Sequence, residues 1–299
     1  MLRDAALVAW FDLWESVRSR KFLALLVIHL AGAMVATATF VEVLKELENT
    51  LAEQLAVAST DKAGTMTQSL MESQQFQEVL ANLLHDPELA AELISVPPIA
   101  LFYGWLALFG LPALVVFTSS DAISSELSTG SARFALFRTS RSAWAFGKLG
   151  GQALLMAIMV FAGAVGVWLV AAFTMASFEG AETAWWLLRL GARTWVYGFA
   201  FLGLSLGVSQ VTRSVNGSRA LGLFALIAVS VAGTASQVDD VVAYAPLLID
   251  GLSPIWPNVH KIDLWRPGLA DRAPAAAMLL ALGLSYFMAG HAVLLRRDA

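Results

Sequence analysis

DAISSELSTGSARFALFRTSRSAWAFGK, residues 121–148, is the stretch on which the reading of this chain turns. It opens with two acids, Asp121 and Glu126, and continues with four bases, Arg133, Arg138, Arg141 and Lys148. Long apolar runs flank it on both sides, at 99–119 and 149–175. Gly130 interrupts a helix-forming composition, and the apolar rhythm resumes after it. That pattern predicts a helix, a break and a second helix lying along a membrane surface. A connector between two membrane helices can be a turn of a few residues. A polar segment this long, with helical composition, predicts a docking surface instead.

Composition fixes the solvent. Hydrophobic residues make up 58% of the 299 and charged residues only 14%, with a mean hydropathy of +0.68. A soluble domain is about half apolar and about a quarter charged, so an all-α integral membrane protein is expected. There are no cysteines, which excludes disulfides, thiolate metal sites and a cysteine nucleophile. The four histidines, His29, His85, His260 and His291, are scattered, without metal-ligand spacing. His29 lies inside the first apolar run and is a site candidate only because any ionisable group at membrane depth is one.

Working outward, residues 1–21 form an amphipathic segment. Leu7, Trp10, Phe11, Trp14 and Val17 share one helical stripe, and Arg18, Arg20 and Lys21 close it. Tryptophans above a basic end suit a helix lying in the headgroup layer. The first membrane span is expected at 22–41, about the 20 residues a bilayer requires. An acidic, Gln-rich insert at 42–98 should fold as two or three helices outside the membrane, and its charge argues against nucleic-acid binding. Further spans are expected at 99–119, 149–175, 194–211, 220–238 and 274–295. Trp185 and Trp186 read as an interfacial belt before the fourth span. Residues 239–273 hold four prolines (246, 254, 257, 267), which predicts a re-entrant or interfacial element rather than a span. Gly147/Gly151 and Gly203/Gly207 have the spacing that permits close helix approach.

Orientation follows from Lys and Arg. With the N-terminus in the cytoplasm, inner segments hold twelve (3, 18, 20, 21, 133, 138, 141, 148, 213, 219, 296, 297) and outer segments seven (45, 62, 189, 193, 261, 266, 272). The positive-inside rule then predicts six spans with both ends cytoplasmic. All charges fall outside the expected spans or at their edges, so no buried-charge relay is expected.

Asp121, the pair Ser125-Glu126, the step Gly130-Ser131, Ser140-Arg141 and Gly147-Lys148 resemble the cytoplasmic loop between the second and third membrane helices of type-2 ABC transporter permeases. The amphipathic start resembles that family's elbow helix, and Leu252-Ser253-Pro254 resembles its turn before the last helix. The resemblance implies a type V exporter architecture with ATPase coupling through Asp121, Ser124, Ser125, Glu126, Gly130 and Arg133. It also implies an elbow carrying Trp10, Trp14, Arg18 and Arg20. Expected partners are an ABC ATPase dimer, a second permease copy and the bilayer of a bacterial cytoplasmic membrane. No P-loop is present, because Gly147-Lys148 is followed by Leu149 and Ser142 stands where the first Gly should be. No cofactor is expected on this chain; ATP and magnesium would belong to the partner. Lipids, hydrophobic drugs, peptides or glycans are the substrates the resemblance implies. The long outer insert also resembles the permease of nitrous-oxide reductase maturation, which would add a periplasmic partner. The alternative from a different class is a non-transporting membrane protein, either a scaffold or an intramembrane enzyme, and against the enzyme stands the lack of a nucleophile–base pair or metal cluster within the expected spans.

Overall fold

The computed structural model describes residues 1–54, 62–64, 66–67, 71, 73–84, 86–176, 178–237 and 251–296. Helix α1, Leu2–Arg18, ends at Ser19, whose extended backbone turns the chain. The Ser19 Oγ then accepts the Phe22 amide at 3.1 Å and starts α2, Arg20–Gln54. At 1.5 Å per residue α2 runs about 50 Å, well beyond a bilayer's apolar core. The expected boundary at residue 42 therefore does not end the helix. Beyond Val41 the chain turns polar, but Glu42, Lys45, Glu46 and Glu48 are good helix formers with no Gly or Pro among them, so the backbone continues.

The described part of the outer insert contains α3, Gln74–Leu84, and α4, Pro87–Ser95. Asp86 caps α4 by accepting the Leu89 amide at 3.0 Å, with Pro87 in the first helical position. Helix α5, Pro98–Ser119, follows, then the short α6, Ser124–Thr129, and α7, Ala132–Leu136. Ser140 caps α8, Arg141–Thr174, through the Ala143 amide. Arg141, Gly147 and Lys148, expected in the loop, are thus the opening turns of a membrane-length helix.

Helix α9, Gly180–Val211, also begins far ahead of its expected start at 194. Thr183, Trp186, Leu187, Leu190, Gly191 and Thr194 form one buried stripe at three- and four-residue steps. Trp186 is therefore held by packing, while Trp185 stays exposed. Ser214 caps α10, Val215–Ala235, through the Gly217 amide. Residue 238, the end of the expected fifth span, and residues 239–250, the first part of the expected re-entrant element, lie outside the described residues. Its second part forms three 3-10 turns, Ser253–Ile255, Pro257–His260 and Asp263–Trp265. Asn258 ties them into the bundle, accepting the Tyr197 hydroxyl at 2.5 Å and donating to the Ser230 carbonyl at 3.2 Å. The last helix, α11, is Leu269–Leu295.

Among the described residues, six helical stretches are long and apolar enough to cross a membrane: α2, the 98–129 run, α8, α9, α10 and α11. Apart from an isolated bridge between Ala63 and Met175, the described elements are helical. Their main core gathers α5, α8, α9, α10 and α11 around Trp144, Phe201, Leu206, Leu279 and Phe287. In lipid, helices gain nothing by hiding apolar surface from each other, so association depends on close packing. Glycine supplies it. A side chain at Gly203 or Gly207 of α9 would collide with the α11 backbone at Gly283 or Tyr286. Helix α1 lies on α8 in the same manner, since a Cβ at Gly147 would come within 2.5 Å of the Val8 Cβ. Helix α2 packs on α8 through His29, Leu30 and Met34 against Gly163 and Gly166, and leaves most of its apolar surface exposed.

Candidate functional site

One end of the bundle collects the start of α1, the α1–α2 turn, α6, α7, the start of α8, the α9–α10 turn and the end of α11. The 121–148 stretch forms its centre. Gly130 caps α6 with φ +75°, the left-handed conformation that costs glycine nothing, and this turns α7 away from α6.

Most of the polar residues singled out from the sequence face inward. Asp121 is almost fully buried and accepts Lys21 Nζ at 2.9 Å and Arg219 Nη2 at 2.5 Å. It thereby joins the starts of α2 and α10 to the end of α5. The backbone amides of Ile123 and Ser124 donate to Ser209 Oγ of α9 at 3.1 and 3.0 Å. Ser124 is fully buried, and Ser125 donates its amide to the Asp121 carbonyl at 2.9 Å. Glu126 pairs with Lys148 of α8.

Lys148 is the hub. Its exposure is 6%, and besides Glu126 it holds Asp12 of α1, also 6% exposed, at 2.6 Å. The other Asp12 oxygen accepts Gln152 Nε2 at 2.9 Å, and Gln152 Oε1 accepts Ser119 Oγ at 3.1 Å. Each buried polar group at the hub thus has partners, as a low-dielectric interior requires. Both residues lie outside the expected spans or at an edge, but the sequence did not show their burial: Lys148 is buried in the second turn of α8, and Asp12 is the buried residue of α1. The elbow stripe is inverted relative to a soluble helix. Leu7, Trp10, Phe11 and Trp14 are exposed, Trp10 and Trp14 stack at 6.0 Å, and Arg18 lies 4.3 Å over the Trp14 ring. Arg20 is exposed beside them.

A second polar chain crosses the same end. Ser142 Oγ lies 3.0 Å from His291 Nε2, and His291 Nδ1 lies 3.2 Å from Gln210 Oε1. Arg141 Nη1 donates to the Leu295 carbonyl at 3.1 Å. These contacts tie α8 and α9 to the last turns of α11.

What faces outward is different in kind. Ser128, Thr129, Ser131, Arg133 and Arg138 are exposed, together with Phe134 at 77% and Phe137 at 85%. Of the six residues expected to couple, Arg133 is on this surface and Gly130 shapes it; Asp121, Ser124, Ser125 and Glu126 support it from behind. Sequence reasoning passed over Phe134 and Phe137, although two phenylalanines in a polar loop are a legible signal. Asp12, Lys21, Ser209 and Arg219 carry no such signal, because their partners lie far along the chain.

The opposite end holds the insert. Glu92 of α4 accepts Arg193 at 3.0 Å and lies 3.5 Å from Arg189, while Asp86 lies 3.5 Å from Arg266. Glu48, at the far end of α2, accepts the Gly64 and Thr67 amides at 2.9 and 2.7 Å. Among the described residues no group of three or more His, Asp or Glu is placed to hold a metal ion.

A family model described as ABC-2 family transporter protein matches residues 6–263. No curated protein matches the chain. The match spans most of the chain, so the protein belongs to the ABC-2 transporter family and is a multi-pass membrane permease component.

Proposed function

From that membership we propose that the chain is the membrane-spanning half of an ATP-driven exporter. Two permease copies pair in a bacterial cytoplasmic membrane, with both termini in the cytoplasm, and dock a separate pair of ABC ATPase subunits. ATP and magnesium bind on those subunits. The observation that carries this reading is the Lys148 hub, which grips Asp12 of α1 and Glu126 of α6 from inside α8. A push on the α6–α7 surface therefore cannot move α6 alone; it carries the elbow and the third membrane helix with it. Phe134 and Phe137 are the anchors of that push, because two exposed phenylalanines on a water-side surface favour a partner that buries them. The substrate leaves the inner leaflet or cytoplasm and is of the lipid, hydrophobic-drug, peptide or glycan class.

The test is co-expression with a candidate ABC ATPase subunit, sought first among the neighbouring open reading frames. Phe134→Ser/Phe137→Ser should abolish co-purification and stimulated ATP hydrolysis while leaving thermal stability unchanged, since neither ring packs in the chain. A variant that assembles and stimulates hydrolysis like the parent sinks the reading.

A second reading rests on the outer insert. Helix α4 is clamped to α9 through Glu92, whereas α3 keeps Gln74, Gln75, Glu78 and Val79 exposed. That face would serve a periplasmic partner protein, as in nitrous-oxide reductase maturation. Substituting those four residues should then abolish partner service and leave ATPase stimulation intact.

A further inference from the structure

A groove of about 420 Å³ runs between α2 and α5. Ile28 and Phe117, both exposed, stand at its mouth, and the buried Val160 of α8 closes its floor. Helix α8 fixes both walls. His29, Leu30 and Met34 seat α2 on Gly163 and Gly166, and the Tyr103 hydroxyl of α5 donates to the Val160 carbonyl at 2.8 Å. Among the described glycines of the six membrane-length stretches, Gly32 and Gly110 are the two at which an added Cβ would meet nothing within 4 Å. Both line this groove, one on each wall. Close packing is what holds helices together in lipid, and at these two positions it is missing.

Two polar side chains reach the lining, Tyr103 and His29. Tyr103 already donates its proton to Val160. His29 is half-buried and lies eight residues beyond Lys21, so it stands about 12 Å along α2 from the polar start of that helix. It is hydrogen-bonded to the Met159 backbone. In mid-helix that backbone offers a carbonyl, so the bonded ring nitrogen is the donor, and the other nitrogen of an uncharged imidazole is an acceptor. An acceptor at membrane depth, away from water, favours a ligand that brings a donor. An acyl chain of the bilayer brings none. We infer that the groove binds an uncharged, elongated hydrophobic molecule carrying one hydroxyl group. Its hydroxyl donates to His29, and its chain lies between Gly32 and Gly110. The groove volume falls within the range of about 300–1,000 Å³ of ordinary small-molecule sites. Taken as cargo, such a molecule rests on the exporter reading and narrows its substrate class; binding itself is measured without an ATPase, so either can fail without the other.

Native mass spectrometry of the purified full chain, titrated in detergent with farnesol or with farnesyl methyl ether, tests it. The ether keeps the chain and loses only the donor. The parent should retain one farnesol per chain, and should hold the ether roughly tenfold more weakly, the contribution of one buried hydrogen bond. His29→Phe should lower farnesol retention to the level of the ether. Gly32→Leu/Gly110→Leu builds into open space and should abolish retention of both. Val35→Phe, at an exposed position of α2 outside the lining, should bind like the parent. Gel filtration and circular dichroism establish that each variant is folded. Equal retention of alcohol and ether by the parent would mean a groove for any apolar chain and overturns the hydroxyl assignment. Parent-like retention in folded Gly32→Leu/Gly110→Leu, or equal loss in Val35→Phe, places the molecule elsewhere and overturns the site. A parent that retains neither probe overturns the proposal altogether.

Discussion

Lys148→Met removes the cation from the hub and keeps the length of the side chain. At an effective dielectric of about 20, unit charges 2.6 Å apart attract by roughly 6 kcal/mol. That attraction is opposed by a desolvation cost of several kcal/mol for each buried ion. Taking away only the lysine leaves that cost on Asp12 with nothing against it except the Gln152 amide at 2.9 Å. Glu126, whose side chain is 26% exposed, can turn toward water and contributes little. Removing one partner of a buried pair costs about 3–5 kcal/mol, and the surviving Gln152 bond argues for the lower end, about 3 kcal/mol. Asp12→Asn/Lys148→Met removes the stranded charge and should recover most of the loss. The assay is thermal unfolding in detergent followed by tryptophan fluorescence, run as a double-mutant cycle on parent, both singles and the double. A single Lys148→Met within about 0.5 kcal/mol of the parent would refute the hub, because that is the range of an ordinary surface substitution. A double variant no more stable than Lys148→Met would refute the stranded-charge argument and leave only lost packing.

Gly203→Ala should cost more than about 3 kcal/mol or abolish monodisperse protein, since its Cβ meets the α11 backbone, which cannot rotate away. Gly32→Ala, with nothing within 4 Å, should be neutral or stabilising by up to about 1 kcal/mol; equal behaviour of the two in a gel-filtration stability assay refutes the close-approach account. Glu92→Gln leaves Arg193, only 9% exposed, without its carboxylate, so limited proteolysis should cut the insert faster while the bundle persists. No change in the cleavage rate would mean the clamp is immaterial. Single cysteines introduced at Ser128 and Ala181 test sidedness in a chain that has none of its own: Ala181 should label from outside intact cells and Ser128 should not, and the reverse pattern inverts the proposed orientation.

Much of this protein is determined by the sequence read alone. Six apolar runs set the class, because a bilayer admits only segments that satisfy their own backbone, and helices do so locally. Gly130 marks its helix boundary for a related reason: a left-handed helix end is a local property of the residue that adopts it. Helix lengths are less legible. Helix α2 continues through a charged stretch and α8 and α9 start early, since hydropathy reports the apolar layer and not where a helix stops.

Tertiary structure alone decided the site. Asp12 and Lys148 are 136 positions apart, and nothing in either local sequence tells a buried, paired charge from a solvated one. The elbow shows the limit most plainly. Its apolar stripe is readable, but which face is buried depends on what lies beside it, and here Asp12 is turned inward to meet a lysine while the tryptophans face out. Gly203 and Gly207 likewise advertise closeness without naming the neighbour. Only the assembled bundle sets them against α11, because contact between distant helices is a property of packing and not of spacing.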